Sequence, residues 1–186
     1  VPLSVSATTV STLLAPVLTP LFVVLYAGAT SSIEIQFMPM FISIVKIVLV
    51  PIILGIVLNY FIGAKIEPVK SVCPTIAAIA VLLILAAVTA VNQKQIAETG
   101  FIIFVACLVQ NLSGYVVTYL VCKALSIDVS SRRAMQIEVA MQNSALSVSL
   151  ALKHFTPQAA VAGAVFSIIH NFTGSIFAGI CRKHDD

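Results

Sequence analysis

The sequence contains very little charge. Aspartate, glutamate, lysine and arginine make up 9% of its 186 residues, and tryptophan is absent. About a quarter of the residues in an ordinary soluble domain are charged, so this composition excludes that class. Hydrophobic residues make up 60% of the chain, which predicts an integral membrane protein surrounded by lipid. The net charge of +3 is spread between apolar segments, so it does not indicate a nucleic-acid partner.

The chain also lacks the residue patterns of the common enzyme classes. It contains no Ser-His-Asp arrangement, metal-binding spacing or phosphate-binding motif, so we expect neither an enzyme nor a protein with a cofactor. The four cysteines (Cys73, Cys107, Cys122 and Cys181) have no pairing or metal spacing. All four lie in apolar segments or at their ends, and we expect them to behave as small buried hydrophobic residues.

Long apolar runs predict an all-α membrane fold. A membrane-spanning helix needs about 20 apolar residues. In residues 1–28 we expect a half-helix, interrupted at Pro16 and Pro20, and then a span. Five further spanning helices are predicted at 38–62, 72–92, 101–125, 134–153 and 158–181. Polar loops are expected between them, including 29–37 with Glu34, 63–71 with Lys65 and Lys70, and 93–100 with Lys94.

Lysine and arginine predict the orientation of the chain, because cytoplasmic loops are enriched in both. Seven of these residues fall on the side that includes the C-terminus, and two fall on the other side. We therefore expect a cytoplasmic C-terminus. A plasma membrane or bacterial inner membrane is the default location, and an organelle envelope is also open.

The most informative stretch is residues 138–144, Glu-Val-Ala-Met-Gln-Asn-Ser. Glu138 is the only acidic residue within an apolar span, and an intramembrane carboxylate is by default a functional-site candidate. Gln142 follows at i+4, which places it on the same face if the helix is intact. With Asn143 and Ser144, these oxygens suit Na⁺ or a polar substrate. The alternative is a protonated or hydrogen-bonded glutamate with a purely structural role.

Two other polar groups are predicted at membrane depth. Ser4, Thr8 and Ser11 recur at helical spacing. They either bond to backbone carbonyls, as is common in membrane helices, or line a cation path. His170 and Asn171 interrupt the last span, where they either pack against another helix or face a substrate cavity.

Two spans carry polar residues near their centres. Lys46 lies in the span 38–62, where it either extends its amine toward the helix end or meets an anionic substrate. The span 101–125 contains Gln110, Asn111, Ser113 and Gly114 at its centre. Polar and small residues at such positions indicate close packing against another helix.

Several motifs together resemble the bile acid:sodium symporter family, and the resemblance covers essentially the whole chain. These motifs are Val1-Pro-Leu-Ser-Val, Ser11-Thr-Leu-Leu-Ala-Pro16, Arg132-Arg133, Glu138-Val-Ala-Met-Gln-Asn-Ser-Ala-Leu146, His154-Phe155, Gly163-Ala-Val-Phe-Ser-Ile-Ile-His-Asn171 and Gly174-Ser175. The resemblance implies ten helices in two inverted repeats, forming a panel domain and a core domain. The fourth and ninth helices would be broken and would cross at the ion sites. Residues 1–28 would end the first repeat, and residues 29–186 would form the second, with its broken helix at 134–153.

The resemblance also implies roles for particular residues. One sodium ion would be bound by Glu138, Ser4 and Thr8. The other would be bound by Glu138, the backbone carbonyls of Val139 and Met141, and Gln142. Asn143 and His170 would lie near the substrate cavity, and we place the adjacent Asn171 with them.

These expectations predict a sodium-coupled symporter of a small organic anion that works by alternating access. Its partners would be sodium, the anion and membrane lipid. Two alternatives stay open: a proton-coupled carrier in which Glu138 titrates, and a truncated membrane protein that does not transport. The chain begins at Val1 in the middle of an apolar segment, so we expect it to be an N-terminally incomplete fragment.

Overall fold

The computed structural model describes residues 2–30, 36–63 and 67–183, all of them in helices or short connections. The helices are α1 (Pro2–Thr30), α2 (Phe37–Ile44), α3 (Val50–Ile62), α4 (Glu67–Val91), α5 (Gln93–Ala124), α6 (Val129–Ala140), α7 (Ser144–His154) and α8 (Ala159–Lys183). A π-helical segment, Val45–Leu49, joins α2 to α3. The predicted loop positions Glu34 and Lys65 lie outside the described residues, whereas Lys70 falls within α4.

Within the residues that the structure describes, five helical stretches are long and apolar enough to cross a membrane. They are Leu3–Tyr26, Phe37–Ile62, Ser71–Val91, Gln93–Ala124 and Ala159–Arg182. Large apolar side chains are exposed along all five of them, as expected for helices that face lipid or other membrane helices. The predicted all-α membrane fold is confirmed.

The first helix corrects one expectation. Residues 1–28 were predicted to contain a half-helix and a separate span, but α1 is one continuous helix with Pro16 and Pro20 inside it. Each proline removes one backbone donor, but opening the helix there would expose several more unpaired groups. In an apolar environment that cost is larger, so prolines are tolerated within membrane helices.

The boundaries of α5 correct a second expectation. Residues 93–100 were predicted to form a polar loop, but α5 begins at Gln93 and continues through this segment. Glutamine, lysine and glutamate favour helix, and no proline interrupts the segment. A helix can also extend beyond the apolar layer of the membrane. The polar residues 93–100 therefore need not interrupt the helix, even where they lie outside that layer.

The structure divides into two compact units. One contains Val1–Val10 and Val88–Asp186, and the other contains Ser11–Ala87. All the side-chain contacts described below for the candidate site lie within the first unit. The division into repeats at residue 28 stays a prediction.

Within the second unit, the π-helical segment has a local cause. Pro51 has no N–H to donate to the carbonyl of Ile47, and its ring would crowd that carbonyl in a regular α-helix. The turn before it is therefore widened, with the N–H of Val50 bonded to the carbonyl of Val45. Lys46 lies in this widened turn, and its side chain is exposed.

The connection from α5 to α6 determines where the broken helix begins. The amides of Ser126 and Ile127 donate to the carbonyls of Lys123 and Cys122, at 3.1 and 2.9 Å. Ser126 has a φ of 55°, and together these features end α5 with a Schellman turn. Asp128 then caps α6 by accepting from the Ser131 amide at 2.9 Å. Hydrogen bonds from the Ser131 side chain and backbone lower the pKa of Asp128.

Helices α7 and α8 pack closely where Gly163 faces α7. A Cβ atom at Gly163 would lie 2.9 Å from Cγ2 of Val148 and 3.2 Å from Oγ of Ser147. Val148 and the neighbouring Val161 are fully buried. A larger residue at position 163 would therefore force α7, the second half of the broken helix, away from α8.

We predict that Gly163→Ala lowers the melting temperature in detergent relative to the wild-type protein. Overpacking costs about 1–3 kcal/mol. Gly179→Ala is the matched control, because a Cβ there meets nothing within 4 Å. Alanine is favoured over glycine within a helix by about 0.5–1 kcal/mol, so the control should be neutral or slightly stabilising. Equal melting temperatures for the two variants would contradict the close packing described here.

Candidate functional site

The site is built around an interruption in the broken helix, residues 141–143, which we call the helix break. Helix α6 ends at Ala140, and α7 begins at Ser144. The broken helix predicted at 134–153 is therefore present. Gln142 was expected to share the face of Glu138 only if the helix is intact, and that condition is not met because α6 ends at Ala140. Gln142 instead donates from Nε2 to the carbonyl of Val139 at 3.1 Å.

Local hydrogen bonds give the helix break a defined shape. The amide of Met141 donates to the Ile137 carbonyl at 2.8 Å, and the amide of Ser144 donates to the Gln142 carbonyl at 2.9 Å. Oδ1 of Asn143 accepts from the amide of Leu146 at 3.0 Å and so caps α7. The chain thus leaves one helix and enters the next within three residues.

Glu138 lies in the last turn of α6 and accepts hydrogen bonds from α1. Oγ of Ser4 donates to its Oε2 at 2.8 Å. The hydroxyl of Thr8 contacts Oε1 of the same carboxylate and also lies 2.9 Å from the Ser4 carbonyl. Ser4 and Thr8 are one helical turn apart, so α1 presents both hydroxyls to one carboxyl group. The structure thus brings together three of the predicted sodium ligands.

Oxygen atoms of this kind suit a hard cation. Carboxylate, hydroxyl and carbonyl oxygens are the ligands that such cations prefer. Ser4, Thr8 and Glu138 contribute two hydroxyl and two carboxylate oxygens. Each hydroxyl oxygen keeps lone pairs while its proton is donated, so the group has the composition needed to bind Na⁺.

A second polar group reaches the helix break from α5 and α8. Nδ2 of Asn111 donates to the carbonyl of Ala140 at 2.9 Å. The hydroxyl of Thr173 donates to Oδ1 of Asn111 at 2.7 Å. We call Asn111 and Thr173 the clamp pair. The sequence indicated close packing near Asn111, but it did not identify this carbonyl as the partner, and it gave no role to Thr173.

Two glycines lie where the same helices approach residues 139–141, and a Cβ would be crowded at only one of them, Gly174. A Cβ at Gly114 would lie 3.7 Å from Cγ1 of Val139, and a Cβ at Gly174 would lie 3.1 Å from Sδ of Met141. On α6, Gln136 adds a buried hydrogen bond of 3.0 Å from its Nε2 to the Tyr115 carbonyl. Helices α5 and α8 therefore meet the end of α6 and the start of the helix break through both polar and apolar contacts.

Two small pockets border the helix break, with volumes of about 150 Å³ and 250 Å³. Both are lined by Gln110, Gln142 and Phe166. Asn143, which was predicted to lie near the substrate cavity, lines the smaller pocket. Val139, a predicted sodium ligand, lines the larger one. Gln110 is a further polar group here, and its position at the centre of a span was the only signal for it in the sequence.

The structure does not bring His170 and Asn171 to these two pockets. His170 is buried, with its ring edge-on to Phe166 at 5.5 Å between centroids. Its Nδ1 has no hydrogen-bond partner in the part of the chain that the structure describes. Asn171 is exposed, and its Nδ2 donates to the Ser167 carbonyl of the same helix at 2.7 Å. Their assignment to a substrate cavity stays a prediction.

The sequence was compared with models of known protein families. The model of the sodium bile acid symporter family matches residues 1–99. This chain belongs to the sodium bile acid symporter family. The resemblance seen in the sequence is therefore confirmed, and the family is one of transporters, not of enzymes.

Several curated relatives match along almost the whole chain. The uncharacterized sodium-dependent transporter YocS of Bacillus subtilis is 39% identical over 181 residues, which cover 97% of this chain and 56% of YocS. The probable chloroplastic sodium/metabolite cotransporters BASS1 of rice and of Arabidopsis thaliana are 37% and 36% identical over 184 residues. Those residues cover 98% of this chain and 45% of each relative. The chain thus spans about half the length of the curated relatives it matches.

Asn143 provides a test of the helix break that does not depend on function. We predict that Asn143→Ala lowers the melting temperature in detergent, because loss of an N-cap side chain costs about 0.5–2 kcal/mol. Asn143→Ser should retain most of the stability, since serine also caps helices well. If the alanine and serine variants melt at the same temperature, Asn143 does not cap α7.

Proposed function

We propose that this protein is a sodium-coupled symporter of a small organic anion that works by alternating access. The observation that carries this proposal is the Glu138 carboxylate, which accepts hydrogen bonds from Ser4 and Thr8 beside the helix break. YocS is named a sodium-dependent transporter, and the BASS1 proteins are named sodium/metabolite cotransporters. Their names agree with coupling to sodium but do not identify the anion.

The first sodium site would consist of Glu138, Ser4 and Thr8. A carboxylate in an apolar protein is costly unless it is paired, and a bound Na⁺ would neutralise it. The two hydroxyls are already within hydrogen-bonding range of the carboxylate, so a cation could share their oxygens after a rotation of each O–H. Little reorganisation of α1 would then be needed.

The second sodium site would consist of Glu138, the carbonyls of Val139 and Met141, and Gln142. A helix break supports this site because it leaves backbone carbonyls without their usual helical donors. The Val139 carbonyl accepts from Gln142 and keeps a second lone pair for an ion. Because Glu138 would serve both sites, loss of its charge would weaken both, and ion binding at one would affect the other.

The substrate would lie near Asn143, with His170 and Asn171 contributing to its cavity. Asn143 supports this placement because it already lines a pocket at the helix break. Sodium would drive transport by binding more tightly to one conformation of the carrier than to the other. No cofactor would take part, and sodium, the anion and membrane lipid would be the partners.

The family also suggests an arrangement for the chain. We propose that residues 1–28 end the first of two inverted repeats and that residues 29–186 form the second, within a longer transporter. Helices α6 and α7 would be its broken ninth helix, which would cross the fourth helix at the ion sites. Such crossings near the membrane midplane occur in several transporter folds. The C-terminus would face the cytoplasm, because lysine and arginine predominate on that side.

We predict that sodium specifically raises the melting temperature of the wild-type protein. The measurement compares the melting temperature in NaCl with that in KCl, in detergent at equal ionic strength. A ligand that binds only the folded state, at 100 times its Kd, stabilises that state by about 2.7 kcal/mol. Glu138→Gln should abolish the rise, and Thr8→Val should reduce it. Thr9→Val is the matched control, because within the described part of the chain Thr9 donates to the Val5 carbonyl of its own helix alone, at 2.7 Å.

Uptake by proteoliposomes then separates the remaining possibilities. Uptake of an organic anion that requires a sodium gradient, and that Glu138→Ala abolishes, would support the symporter. Uptake that follows a pH gradient and ignores sodium would point to the proton-coupled alternative. A well-folded protein with neither a sodium response nor uptake would support a membrane protein that does not transport. Either of the last two results would contradict the proposed function.

A further inference from the structure

The carbonyl of Ala140 is bonded to a side chain from another helix. It is the last carbonyl of α6, and Nδ2 of Asn111 on α5 lies 2.9 Å from it. Asn111 is only 1% exposed, so its amide group is almost fully enclosed by protein. Because a carbonyl can only accept, the amino group of Asn111 must face Ala140, and Oδ1 must face the opposite direction.

Thr173 on α8 is the hydrogen-bond partner of Oδ1 of Asn111. Its hydroxyl lies 2.7 Å from that oxygen, 3.0 Å from the Ile169 carbonyl and 3.3 Å from the His170 carbonyl. A hydroxyl has one proton, and the shortest of these contacts is the one to Asn111. Thr173 therefore links α8 to α5, and through Asn111 to the last residue of α6.

The glycines next to the clamp pair contact the residues on either side of Ala140. Gly114 lies one turn after Asn111 on α5, and its Cα faces Val139 and Ala140. Gly174 directly follows Thr173 on α8 and faces Met141. The clamp pair thus fixes the middle of three consecutive residues, and the two outer ones lie beside these glycines. Those outer residues are the ones whose carbonyls would bind sodium.

We propose that Asn111 and Thr173 are positioning residues that hold the Ala140 carbonyl and thereby fix the spacing of the Val139 and Met141 carbonyls for sodium. This inference rests on the proposed function. The clamp pair does not touch the ion and acts through the backbone of its ligands. Outer residues that orient metal ligands typically change ion affinity by 10–100-fold when they are removed, because a mobile ligand must be ordered each time the ion binds.

The test measures the melting temperature at increasing sodium concentrations for the wild-type protein and four variants. Thr173→Val removes the hydroxyl with little change in shape, and we expect it to weaken the apparent sodium affinity about 10-fold. Thr173→Ser retains the hydroxyl and should stay within about twofold of wild type. Asn111→Leu should weaken the affinity at least as much as Thr173→Val. If Asn111→Leu fails to fold, because it leaves the Ala140 carbonyl unpaired, Thr173→Val still decides the matter.

Ser175→Ala is the matched control on α8. Among the described residues, the Asn171 carbonyl of its own helix is the one acceptor of the Ser175 hydroxyl, at 2.8 Å. Its removal takes away a hydroxyl two residues from Thr173 without affecting the clamp pair, so the sodium affinity should not change. An affinity loss as large as that of Thr173→Val would show that any hydroxyl on this helix matters, and it would overturn the proposal.

A second measurement, made in potassium without sodium, separates positioning from general destabilisation. Hydrogen–deuterium exchange of the Met141 and Ser144 amides should become several-fold faster in Thr173→Val, while amides elsewhere in α8 keep their wild-type rates. Faster exchange with an unchanged sodium affinity would make the clamp pair merely structural. An unchanged exchange rate would show that Thr173 does not hold the helix break. Either result overturns the proposal.

The wild-type titration keeps this proposal distinct from the proposed function. If the wild-type protein does not respond to sodium, the proposed function fails, and the clamp pair has no ion site to position. If the wild type responds and Thr173→Val responds at the same sodium concentrations, the proposed function stands. Only the role of the clamp pair is then overturned.

Discussion

The site depends on one carboxylate placed in an apolar protein. A charged group away from water is costly unless other groups solvate it, and Glu138 has two hydroxyls from α1 within hydrogen-bonding range. Ser4 lies 134 residues before Glu138 in the chain, and Thr8 lies 130 residues before it. The interaction therefore joins the beginning of the described chain to the end of α6. Any arrangement that separated α1 from α6 would leave the carboxylate without these partners.

The backbone at the helix break also has polar groups that need hydrogen-bond partners. Irregular backbone is tolerated at membrane depth only where protein or a cavity satisfies its polar groups. Here Gln142 bonds to the Val139 carbonyl, Asn111 bonds to the Ala140 carbonyl, and Asn143 caps α7. Two of these partners come from the break itself, and one comes from α5. The interruption is thus stabilised by its own side chains and by the neighbouring helix.

Sequence reasoning succeeded where a property belongs to a single segment. Apolar runs identified the membrane helices, and the rarity of an acid in such a run singled out Glu138. It was wrong where neighbouring segments or the surroundings decide. Pro16 and Pro20 do not interrupt α1, since an apolar environment makes an open turn more costly than two missing donors. Gln142 would share the helical face of Glu138 only in an intact helix, and α6 ends first.

Hydropathy and the identity of single residues, which are local, were enough to predict an all-α membrane protein with an acidic site at Glu138. The broken helix was an expectation from the family resemblance. The packing of the helices is what brings Asn111 and Thr173 together at the Ala140 carbonyl, and what places Gly114 and Gly174 beside residues 139–141. The partner of a buried polar group is determined by which helices pack together, and residue spacing along one helix does not contain that information.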